Sequence, residues 1–438
     1  MKSLKIVYLE KILRFMAQIV LRKYKPRIVG ITGSVGKTSA KEAIFLVLNN
    51  SFNVRGNEKN YNNEIGLPLT IIGAKSGNSS VFGWLNVFIK WLIVIVFPVK
   101  YPEILVLEMG VDNPGDMDYL KSFIPVDVAV LTNISGSHLE KFRTIEKIAG
   151  EKFKITKNIP IDGLIILNVD NDQIGRFYDE TAEKGVSALT LGFSDKATVK
   201  AEDIKFSYRN EDFSGISFKL VYQGKVIPVR LPNVVAKHQI YAVLCGICTG
   251  IHFNVSLMDS VRRLEEFSSP VGRMNLIGGY QGSVIIDDTY NASRESTLAA
   301  LEVLNKVKSK RKIAILGDIL ELEERAENQH HLEVVKKALA YEIYLYVVGR
   351  RMRDAVENVL KEDEFAAHKE RVFVMDNPVM VGEELRGKLD FGDVVLVKGS
   401  QSMRMEKAVE IIMEKPLEAK KMLCRQDNAW KSRPFIQP

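Results

Sequence analysis

Apolar runs of strand length alternate with helical stretches along most of the chain. In the first half these runs are RIVGIT, EILVLEMG, VDVAVLTNI and GLIILNVDN, and in the second half SVIIDD, KIAILGD, EIYLYVVG, RVFVM and DVVLVKGS. Continuous apolar strands separated by helices are typical of mostly parallel sheets with helices on both faces. The pattern predicts an α/β protein, with ligands at the carboxyl ends of the strands.

Residues 196–231 interrupt this alternation. They change to a two-residue period with turn residues in RNEDFSG and YQGK, which predicts an antiparallel patch added to the first sheet. Ser, Pro and Gly then cluster in FSSPVGR, residues 267–273, where we expect a domain boundary. The predicted organisation is a helix at 1–27, a central domain at 28–267, a C-terminal domain at 268–415 and a tail at 416–438.

Two further apolar segments lie outside the strand-and-helix alternation. Residues 1–27 have helical spacing of apolar positions with basic residues beside or opposite them, which predicts a basic amphipathic helix. Its apolar positions are Leu4, Val7, Tyr8, Ile12, Phe15, Ile19 and Val20. The second segment, within an apolar insertion at 81–99, is GWLNVFIKWLIVIVFPV. At about seventeen residues it is marginal for crossing a bilayer, so we expect a buried or interfacial helix.

The surroundings of the N-terminal helix can be interpreted in two ways. The helix can lie in the interface of an anionic membrane, or it can pack against residues 83–99 and form a small apolar subdomain. The sequence leaves both interpretations open.

Composition and charge narrow the functional class. A chain of 438 residues is too long to fold around one hydrophobic core, so more than one domain is expected. A content of 46% hydrophobic and 26% charged residues is typical of a folded globular protein. The formal net charge is +7. Residues 1–27 carry eight Lys and Arg against Glu10, so the rest of the chain is close to neutral and no nucleic-acid partner is expected. Three cysteines are too few for a disulfide framework and indicate a reducing, cytoplasmic location.

A candidate phosphate-binding loop lies in IVGITGSVGKTSAKE, residues 28–42. The strict P-loop pattern requires a glycine where Ile31 stands. An apolar strand nevertheless leads into two glycines, a lysine and a threonine, and a helical stretch follows. This order places backbone N–H groups and a helix N-terminus around an anion. The residues expected to bind phosphate are Gly33, Ser34, Gly36, Lys37 and Thr38.

Two candidate metal ligands follow neighbouring strands. Glu108 ends the strand EILVLE, at a place where a carboxylate can coordinate the Mg²⁺ of a nucleotide. His138 follows a strand in LTNISGSHLEKF, at the edge where ligands are expected. A single histidine after a strand is more often structural, so the residue alone does not decide its role.

Together these segments resemble the Mur ligase family, the ATP-dependent amide-forming enzymes of peptidoglycan synthesis. The similarity spans residues 27–412 and includes GITGSVGKTSAKE, NEKNYNNEIGLPLTII, LEMGVDNPGDMDYL, VAVLTNISGSHLEKF, VGRMNLI, IIDDTYNASRESTLAAL, ILGDILEL and VLVKGSQSMRME, all in family order. DDTYNAS and GDILEL are similar to the branch that joins D-alanyl-D-alanine to a muramoyl tripeptide. The resemblance implies a central P-loop ATPase-type domain and a C-terminal Rossmann-like domain.

The resemblance also implies roles for residues of the central domain. Lys37 and Thr38 would hold the ATP phosphates and one Mg²⁺, and Glu108 and His138 would coordinate magnesium. Lys152, fourteen residues after His138, matches a lysine that the family carbamylates, which would give an oxygen ligand for a second Mg²⁺.

Further roles concern the C-terminal domain and the substrates. Arg273 would contact the nucleotide phosphates and complete a catalytic set with Lys37, His138 and Lys152. Three residues would face the nucleotide, namely Asp288, Tyr290 and Asn291. Four would hold substrate, namely Asn62, Asn63, Lys398 and Ser400.

The reaction implied by the resemblance forms an amide bond in two steps. A substrate carboxylate attacks the γ-phosphoryl group of ATP to give an acyl phosphate and ADP, and an amine then displaces phosphate. The implied partners are a muropeptide-like substrate and D-alanyl-D-alanine. We expect a monomer in the cytoplasm, at the inner face of the membrane if the N-terminal helix binds lipid.

Two departures from the family leave alternatives open. The family usually precedes the phosphate loop with a domain that binds the UDP end of the substrate, whereas a short segment precedes Arg27 here. Gln239 and Ala242 stand where a family helix carries two asparagines near adenine. A ligase for another acidic peptide or polyglutamate therefore remains an alternative. So does a nucleotide-dependent scaffold without catalysis, although a complete metal-binding set argues against it.

Overall fold

The computed structural model describes residues 4–58, 61–78, 80–136, 139–181, 186–209, 212–320 and 327–431. The chain forms two compact units. Unit 1 comprises Met1–Asp203, Phe218–Val229 and His238–Phe267, and unit 2 comprises Ile204–Ser217, Arg230–Lys237 and Ser268–Pro438.

Within the described residues, the first sheet has nine strands in the order β2-β3-β1-β4-β5-β6-β7-β8-β9. Their bounds are β1 (Arg27–Thr32), β2 (Val54–Gly56), β3 (Ile104–Glu108), β4 (Val128–Leu131), β5 (Leu164–Asn168), β6 (Ser187–Gly192), β7 (Val199–Arg209), β8 (Asp212–Tyr222) and β9 (Lys225–Leu231). All pairings from β2 to β7 are parallel. β3 and β4 are buried along their whole length, as the uninterrupted apolar runs predict.

The helices of unit 1 alternate with or follow its strands along the chain. They are α1 (Leu4–Tyr24), α2 (Lys37–Leu48), α3 (Gly66–Ile72), α4 (Val81–Val96), α5 (Asp116–Lys121), α6 (Leu139–Phe142), α7 (Ile145–Phe153), α8 (Asp172–Thr181), α9 (Gln239–His252) and α10 (Leu257–Leu264). Helices α2 and α9 pack against each other. The largest apolar core of the unit includes side chains of α1, α3, α5 and α7.

Helix α1 is present as predicted, but the face that it buries is different. Its buried apolar side chains are Leu13, Met16, Ala17, Val20 and Leu21. Tyr8, Ile12 and Phe15, which the spacing assigned to the apolar face, are exposed. The helix therefore has two apolar faces, and spacing alone does not show which of them contacts the protein.

Helix α4 packs beside α1. The indole Nε1 of Trp91 donates to Met16 O at 3.0 Å, and Lys23 Nζ donates to Ile95 O at 2.8 Å near the carboxyl end of α4. The expected packing between the two apolar segments is thus present. Helix α4 is not fully buried, because Val87 and Val94 are its only side chains that the structure describes as buried. Among the described residues, none of the helices has the length and apolar character needed to span a bilayer.

Unit 2 contains the second sheet, which has six strands among its described residues in the order β10-β11-β15-β12-β13-β14. The bounds are β10 (Asn275–Gly278), β11 (Val284–Asp288), β12 (Arg311–Gly317), β13 (Tyr344–Val348), β14 (Val372–Met375) and β15 (Asp393–Lys398). The pairing of β10 with β11 is antiparallel and the others are parallel.

The helices of unit 2 follow its strands along the chain. They are α11 (Arg294–Lys306), α12 (Glu327–Ala340), α13 (Arg350–Val359), α14 (Pro378–Arg386), α15 (Glu406–Ile412), α16 (Ala419–Met422) and α17 (Asn428–Lys431). Two mostly parallel sheets with helices between their strands confirm the predicted α/β fold class.

Candidate active site

The loops after three neighbouring strands meet at one edge of the first sheet. β1 pairs in parallel with β3 on one side and β4 on the other. The segment 33–36 after β1 therefore lies between Glu108 at the end of β3 and the segment 132–135 after β4. Ser34 N donates to Asn133 O at 2.7 Å, which joins two of these loops.

The segment 33–36 has the conformation of an anion-binding loop. Gly36 has φ 85° and stands directly before α2, so the first turn of α2 points its N–H groups at the loop. Gly33 has φ 153°, and a Cβ atom there would lie 2.1 Å from Thr132 Oγ1. That hydroxyl donates to Val35 O at 2.6 Å. A side chain at position 33 is therefore excluded both by backbone conformation and by space.

Glu108 is held between a threonine and an asparagine. Thr38 Oγ1 donates to Glu108 Oε2 at 2.9 Å, and Asn62 Nδ2 donates to Glu108 Oε1 at 3.2 Å. Asn57, which is also buried, fixes the backbone because Glu108 N donates to Asn57 Oδ1 at 2.8 Å. A carboxylate beside a hydroxyl is the oxygen-donor chemistry that Mg²⁺ prefers, so Thr38 and Glu108 fit a magnesium site.

Two lysines converge on the backbone oxygen of Gly33. Lys37 Nζ, from the first residue of α2, donates to Gly33 O at 2.8 Å. Lys152 Nζ, from the last turn of α7, donates to the same atom at 3.3 Å. The adjacent Glu151 accepts from Gly115 N and Met117 N, each at 3.0 Å, which attaches this turn of α7 to the start of α5.

Lys152 has an unusual environment for a lysine, since its residue is only 3% exposed. Burial, followed by the charge of Lys37, lowers the pKa of Lys152 to about 8 against the opposing effects of Asp112 and Glu151. A lower pKa increases the fraction of neutral amine at physiological pH. Because carbon dioxide reacts with a neutral amine, Lys152 fits a carbamylated residue.

The other predicted residues of unit 1 have different placements. His138 lies outside the described residues. Ser34 Oγ donates to Ser135 O at 3.2 Å, so Ser34 contributes to joining the loops. Asn63 Oδ1 accepts from Gly66 N at 2.9 Å at the start of α3, and its predicted substrate role stays a prediction. In the part of the chain that the structure describes, no three His, Cys, Asp or Glu side chains form a metal-binding group.

The altered helix α9 leaves a polar atom unsatisfied. Gln239 is buried, and its Oε1 has no hydrogen-bond partner among the described residues. Its Nε2 lies 3.5 Å from His238 Nε2. Ala242 is buried and supplies no amide.

In unit 2, Lys398 and Asp288 form a buried ion pair. They end the parallel neighbours β15 and β11, and Lys398 Nζ lies 2.6 Å from Asp288 Oδ2. Lys398 Nζ also donates to Asn291 O at 2.9 Å, and Asp288 Oδ1 accepts from Met274 N at 3.1 Å. The ammonium of Lys398 therefore positions the segment after β11, and its predicted substrate contact stays a prediction.

The remaining predicted residues of unit 2 lie on or near that segment. The guanidinium of Arg273 stacks 4.3 Å from the ring centre of Tyr290, and both residues are exposed. Asn291 Oδ1 accepts from Gln401 N at 3.3 Å. Ser400 is buried and its Oγ accepts from Leu320 N at 2.7 Å. Ser400 thus joins two loops, and its predicted substrate role stays a prediction.

Sequence reasoning missed several residues that shape these sites. Asn57 and Thr132 lie beside the phosphate loop, and Asn57 begins an Asn-rich segment that drew attention only to its later members. Arg425, in the segment treated as a tail, donates through Nη1 to Tyr290 O at 3.0 Å and through Nε to Glu406 Oε2 at 3.0 Å. No sequence pattern points to Arg425, because its partners are distant in the chain.

Comparison with known proteins identifies two family domains in the chain. The Mur ligase middle domain matches residues 91–250, and the Mur ligase glutamate ligase domain matches residues 272–401. The UDP-N-acetylmuramoyl-tripeptide–D-alanyl-D-alanine ligase of Bacillus subtilis is 27% identical over 92% of this chain and 80% of its own length. The Rickettsia prowazekii enzyme of the same name is 26% identical over 91% and 80%.

Solved structures show the same relationship. The crystal structure of MurF ligase from Thermotoga maritima in complex with ADP has a TM-score of 0.68 and 26% identity, and covers 94% of this chain and 84% of that one. A Mycobacterium tuberculosis folylpolyglutamate synthase shares the fold at 14% identity and a TM-score of 0.59, covering 91% and 94%.

Proposed function

Because the chain belongs to the Mur ligase family, we propose that it joins D-alanyl-D-alanine to a muramoyl peptide, with ATP as the source of energy. Members of this family are ATP-dependent ligases that form amide bonds. The named relatives and the ADP-bound structure support the choice of substrates and nucleotide. A ligase for another acidic peptide is the competing function. The polyglutamate enzyme supports it less strongly, because that enzyme shares only the fold with this chain.

One observation carries the proposed chemistry. The Thr38–Glu108 pair, at 2.9 Å, stands at the N-terminus of α2 beside two lysines that share the carbonyl of Gly33. Oxygen donors for a divalent cation and positive groups for phosphate are thus collected around one loop. Magnesium, when bound, would supply electrostatic stabilisation of the phosphate oxygens.

Different residues of the chain would bind the phosphate and the magnesium ion. Lys37 and the first turn of α2 would hold the transferring phosphate, while Thr38, Glu108 and His138 would hold magnesium. The guanidinium of Arg273 lies over the ring of Tyr290, and the phosphate contact that the resemblance implies for it stays a prediction. Both steps of the reaction accumulate negative charge, so preorganised donors and cations lower the barrier mainly by electrostatics.

We assign Lys152 as a carbamylated ligand for a second magnesium ion. Its neutral amine gains CO₂ and loses a proton, so a buried cation becomes an anionic oxygen donor. Burial and the pKa of about 8 support this assignment. The converted group would also attract Lys37 instead of repelling it.

The proposed function is tested with purified protein, ATP, Mg²⁺, UDP-muramoyl tripeptide and D-alanyl-D-alanine, with ADP release and product mass as readouts. We expect ADP and one product heavier by the dipeptide minus water. ADP release with an acidic peptide, and none with the muramoyl peptide, would favour the competing ligase. Absence of ADP and product with every acceptor would favour a non-catalytic scaffold.

A pair of glutamate variants tests the metal site. Glu108→Gln removes the carboxylate beside Thr38 and should raise the Mg²⁺ concentration needed for half-maximal rate by roughly tenfold or more. Glu103→Gln is the matched control, because Glu103 precedes the same strand, is exposed and accepts from Asn53 N at 2.8 Å. An equal magnesium dependence in both variants would contradict the proposed site.

The proposed location is the cytoplasm at the inner face of the membrane. That location requires a surface that binds lipid, and the candidate surface is formed by α1 and α4.

A further inference from the structure

We propose that the exposed apolar faces of α4 and α1 bind the interface of an anionic membrane, with both helices lying in the membrane plane. The observation is one continuous apolar face on α4 beside a segment that holds the chain's net positive charge. This inference deepens the proposed location and is independent of the proposed ligase reaction.

Helix α4 exposes an apolar face along its entire length. The residues recur at three- and four-residue intervals and are between 38% and 83% exposed, so they form one stripe on the helix. They are Val81, Phe82, Leu85, Phe88, Ile89, Leu92, Ile93 and Val96. Asn86 and Lys90 are the polar residues within the helix. Sixteen residues extend about 24 Å, and contiguous apolar surface of this kind marks an interaction site.

Helix α1 carries a second exposed apolar strip. Tyr8, Ile12 and Phe15 are between 55% and 63% exposed. Their spacing places them on one side of α1. Trp91 and Lys23 attach the two helices to each other through Met16 O and Ile95 O. The two strips therefore belong to one attached pair of helices.

The charges around these strips fit an anionic partner. Residues 1–27 carry eight basic residues and Glu10, which is buried, and the chain's net charge of +7 resides in this segment. Residues 65–102 contain Lys75, Lys90 and Lys100 and no acidic residue. Long basic side chains can extend from an apolar surface toward lipid head groups. Apolar residues bordered by lysine and arginine are typical of helices that lie in a membrane interface.

The same charges disfavour a second copy of the chain as the occupant. Two copies meeting through α1 and α4 would bring together two α1 helices that each carry five basic residues against Glu10. Juxtaposed like charges oppose association, whereas an anionic bilayer is attracted. Lipid is therefore the occupant that satisfies both the apolar faces and the charge.

Vesicle flotation of the full chain tests the proposal. The intact protein should float with phosphatidylglycerol-containing vesicles at low salt, float less with pure phosphatidylcholine vesicles, and be partly released as salt rises. Ile89→Glu and Leu92→Glu should each weaken binding by roughly tenfold or more, because a charge then enters the apolar face. Ile161→Glu is the matched control, since Ile161 is 88% exposed outside α1 and α4, and should bind as the unchanged protein does.

Point variants are preferable to deletion of α1, which would uncover the core contacts of Leu13 and Val20. Thermal unfolding of each variant verifies that the exposed substitutions preserve the fold, and sedimentation without lipid measures self-association. The proposal is overturned if the intact protein does not float with anionic vesicles. It is also overturned if Ile89→Glu floats with them as completely as Ile161→Glu does. A lipid-free dimer that Ile89→Glu dissociates, without vesicle binding, would also overturn it. Vesicle binding is measured without substrates, so its failure leaves the ligase reaction to its own test.

Discussion

Replacing Lys152 with methionine should abolish ligation and, in buffer freed of CO₂, make the folded chain more stable. The side chain is 3% exposed and its Nζ contacts Gly33 O at 3.3 Å. Methionine fills a similar volume without the ammonium, so the substitution removes a buried charge while leaving little cavity. Loss of function with a gain in stability is the expected signature of a residue retained for chemistry.

The size of the stability gain follows from the pKa. The pKa of Lys152 falls from 10.5 to about 8 on folding, which corresponds to a cost of about 3 kcal/mol for burying the charged form. The lost hydrogen bond to Gly33 O offsets about 1–2 kcal/mol of this. At pH 7 we therefore expect a net gain of about 1–2 kcal/mol in the free energy of unfolding.

The pH dependence has a definite sign. Between about pH 8 and 10.5 the unfolded chain binds more protons at Lys152 than the folded chain, so stability rises with pH in that window. The advantage of Lys152→Met should be fully present below pH 8 and disappear as the pH approaches 10.5. Chemical denaturation at several pH values measures this difference.

The same pKa determines how readily CO₂ reacts. At pH 7.5 about a quarter of amines with a pKa of 8 are neutral, compared with about 0.1% of ordinary lysines. With ¹³C-labelled bicarbonate, the unchanged protein should show a carbamate resonance that weakens as the pH falls below 8. Lys152→Met should lack it, and Lys147→Met, on the exposed side of the same helix, should retain it.

Chemical rescue separates a carbamate ligand from a structural ammonium. Small carboxylates should partly restore the rate of Lys152→Ala if the missing group is an anionic oxygen donor, whereas alkylamines should do so if it is a cation. Full activity in Lys152→Met, or rescue by amines alone, would refute the carbamate. Rescue by neither, with the fold intact, would leave the resonance as the deciding measurement.

Three further experiments test other parts of the structure. Gly33→Ala should abolish ADP binding and lower the free energy of unfolding by about 2–4 kcal/mol, because its Cβ would meet Thr132. Gly150→Ala, whose Cβ meets nothing within 4 Å, should leave ADP binding intact and stabilise α7 by about 0.5–1 kcal/mol. ADP titration and thermal unfolding compare the two variants. Lys398→Met should cost about 3–5 kcal/mol by leaving Asp288 unpaired, and adding Asp288→Asn should recover most of it in chemical denaturation. Gln239→Asn should tighten ATP binding a few-fold by calorimetry if α9 faces adenine; an unchanged affinity would show that adenine is held elsewhere.

The parts of the site near strand ends could be predicted from the sequence. Apolar runs located β1 and β3, and the ends of parallel strands must meet at one edge of the sheet. Glu108 and Thr38 are therefore neighbours, at 2.9 Å, although seventy positions separate them. The glycine requirement at Gly33 follows similarly from a turn that no other residue can adopt.

Other contacts depend on packing that periodicity does not encode. The ion pair of Lys398 with Asp288 was not predicted, because the sequence does not show that the strand of Lys398 lies beside β11. Arg425 reaches Tyr290 across 135 positions, a separation at which no local pattern operates. In α1, both faces are apolar, so spacing identified the helix but could not select Val20 over Phe15 as its buried side.

Burial distinguishes two lysines that contact the same backbone oxygen. Lys37 and Lys152 share Gly33 O, but Lys37 is partly exposed at the start of α2 while Lys152 is buried. Burial is the larger cause of the lowered pKa of Lys152, and the charge of Lys37 is the second. Removing Lys37 should therefore raise the pKa of Lys152, and it also removes the cation that would attract a carbamate.

Both effects act in the same direction, so Lys37→Met should reduce the carbamate resonance at neutral pH and shift its half-maximal pH upward. The shift should be smaller than the full difference between pKa 8 and 10.5, because burial of Lys152 remains. Lys147→Met again serves as the control. An undiminished resonance in Lys37→Met would mean that the fold lowers the pKa of Lys152 by burial alone and that Lys37 serves only the phosphates.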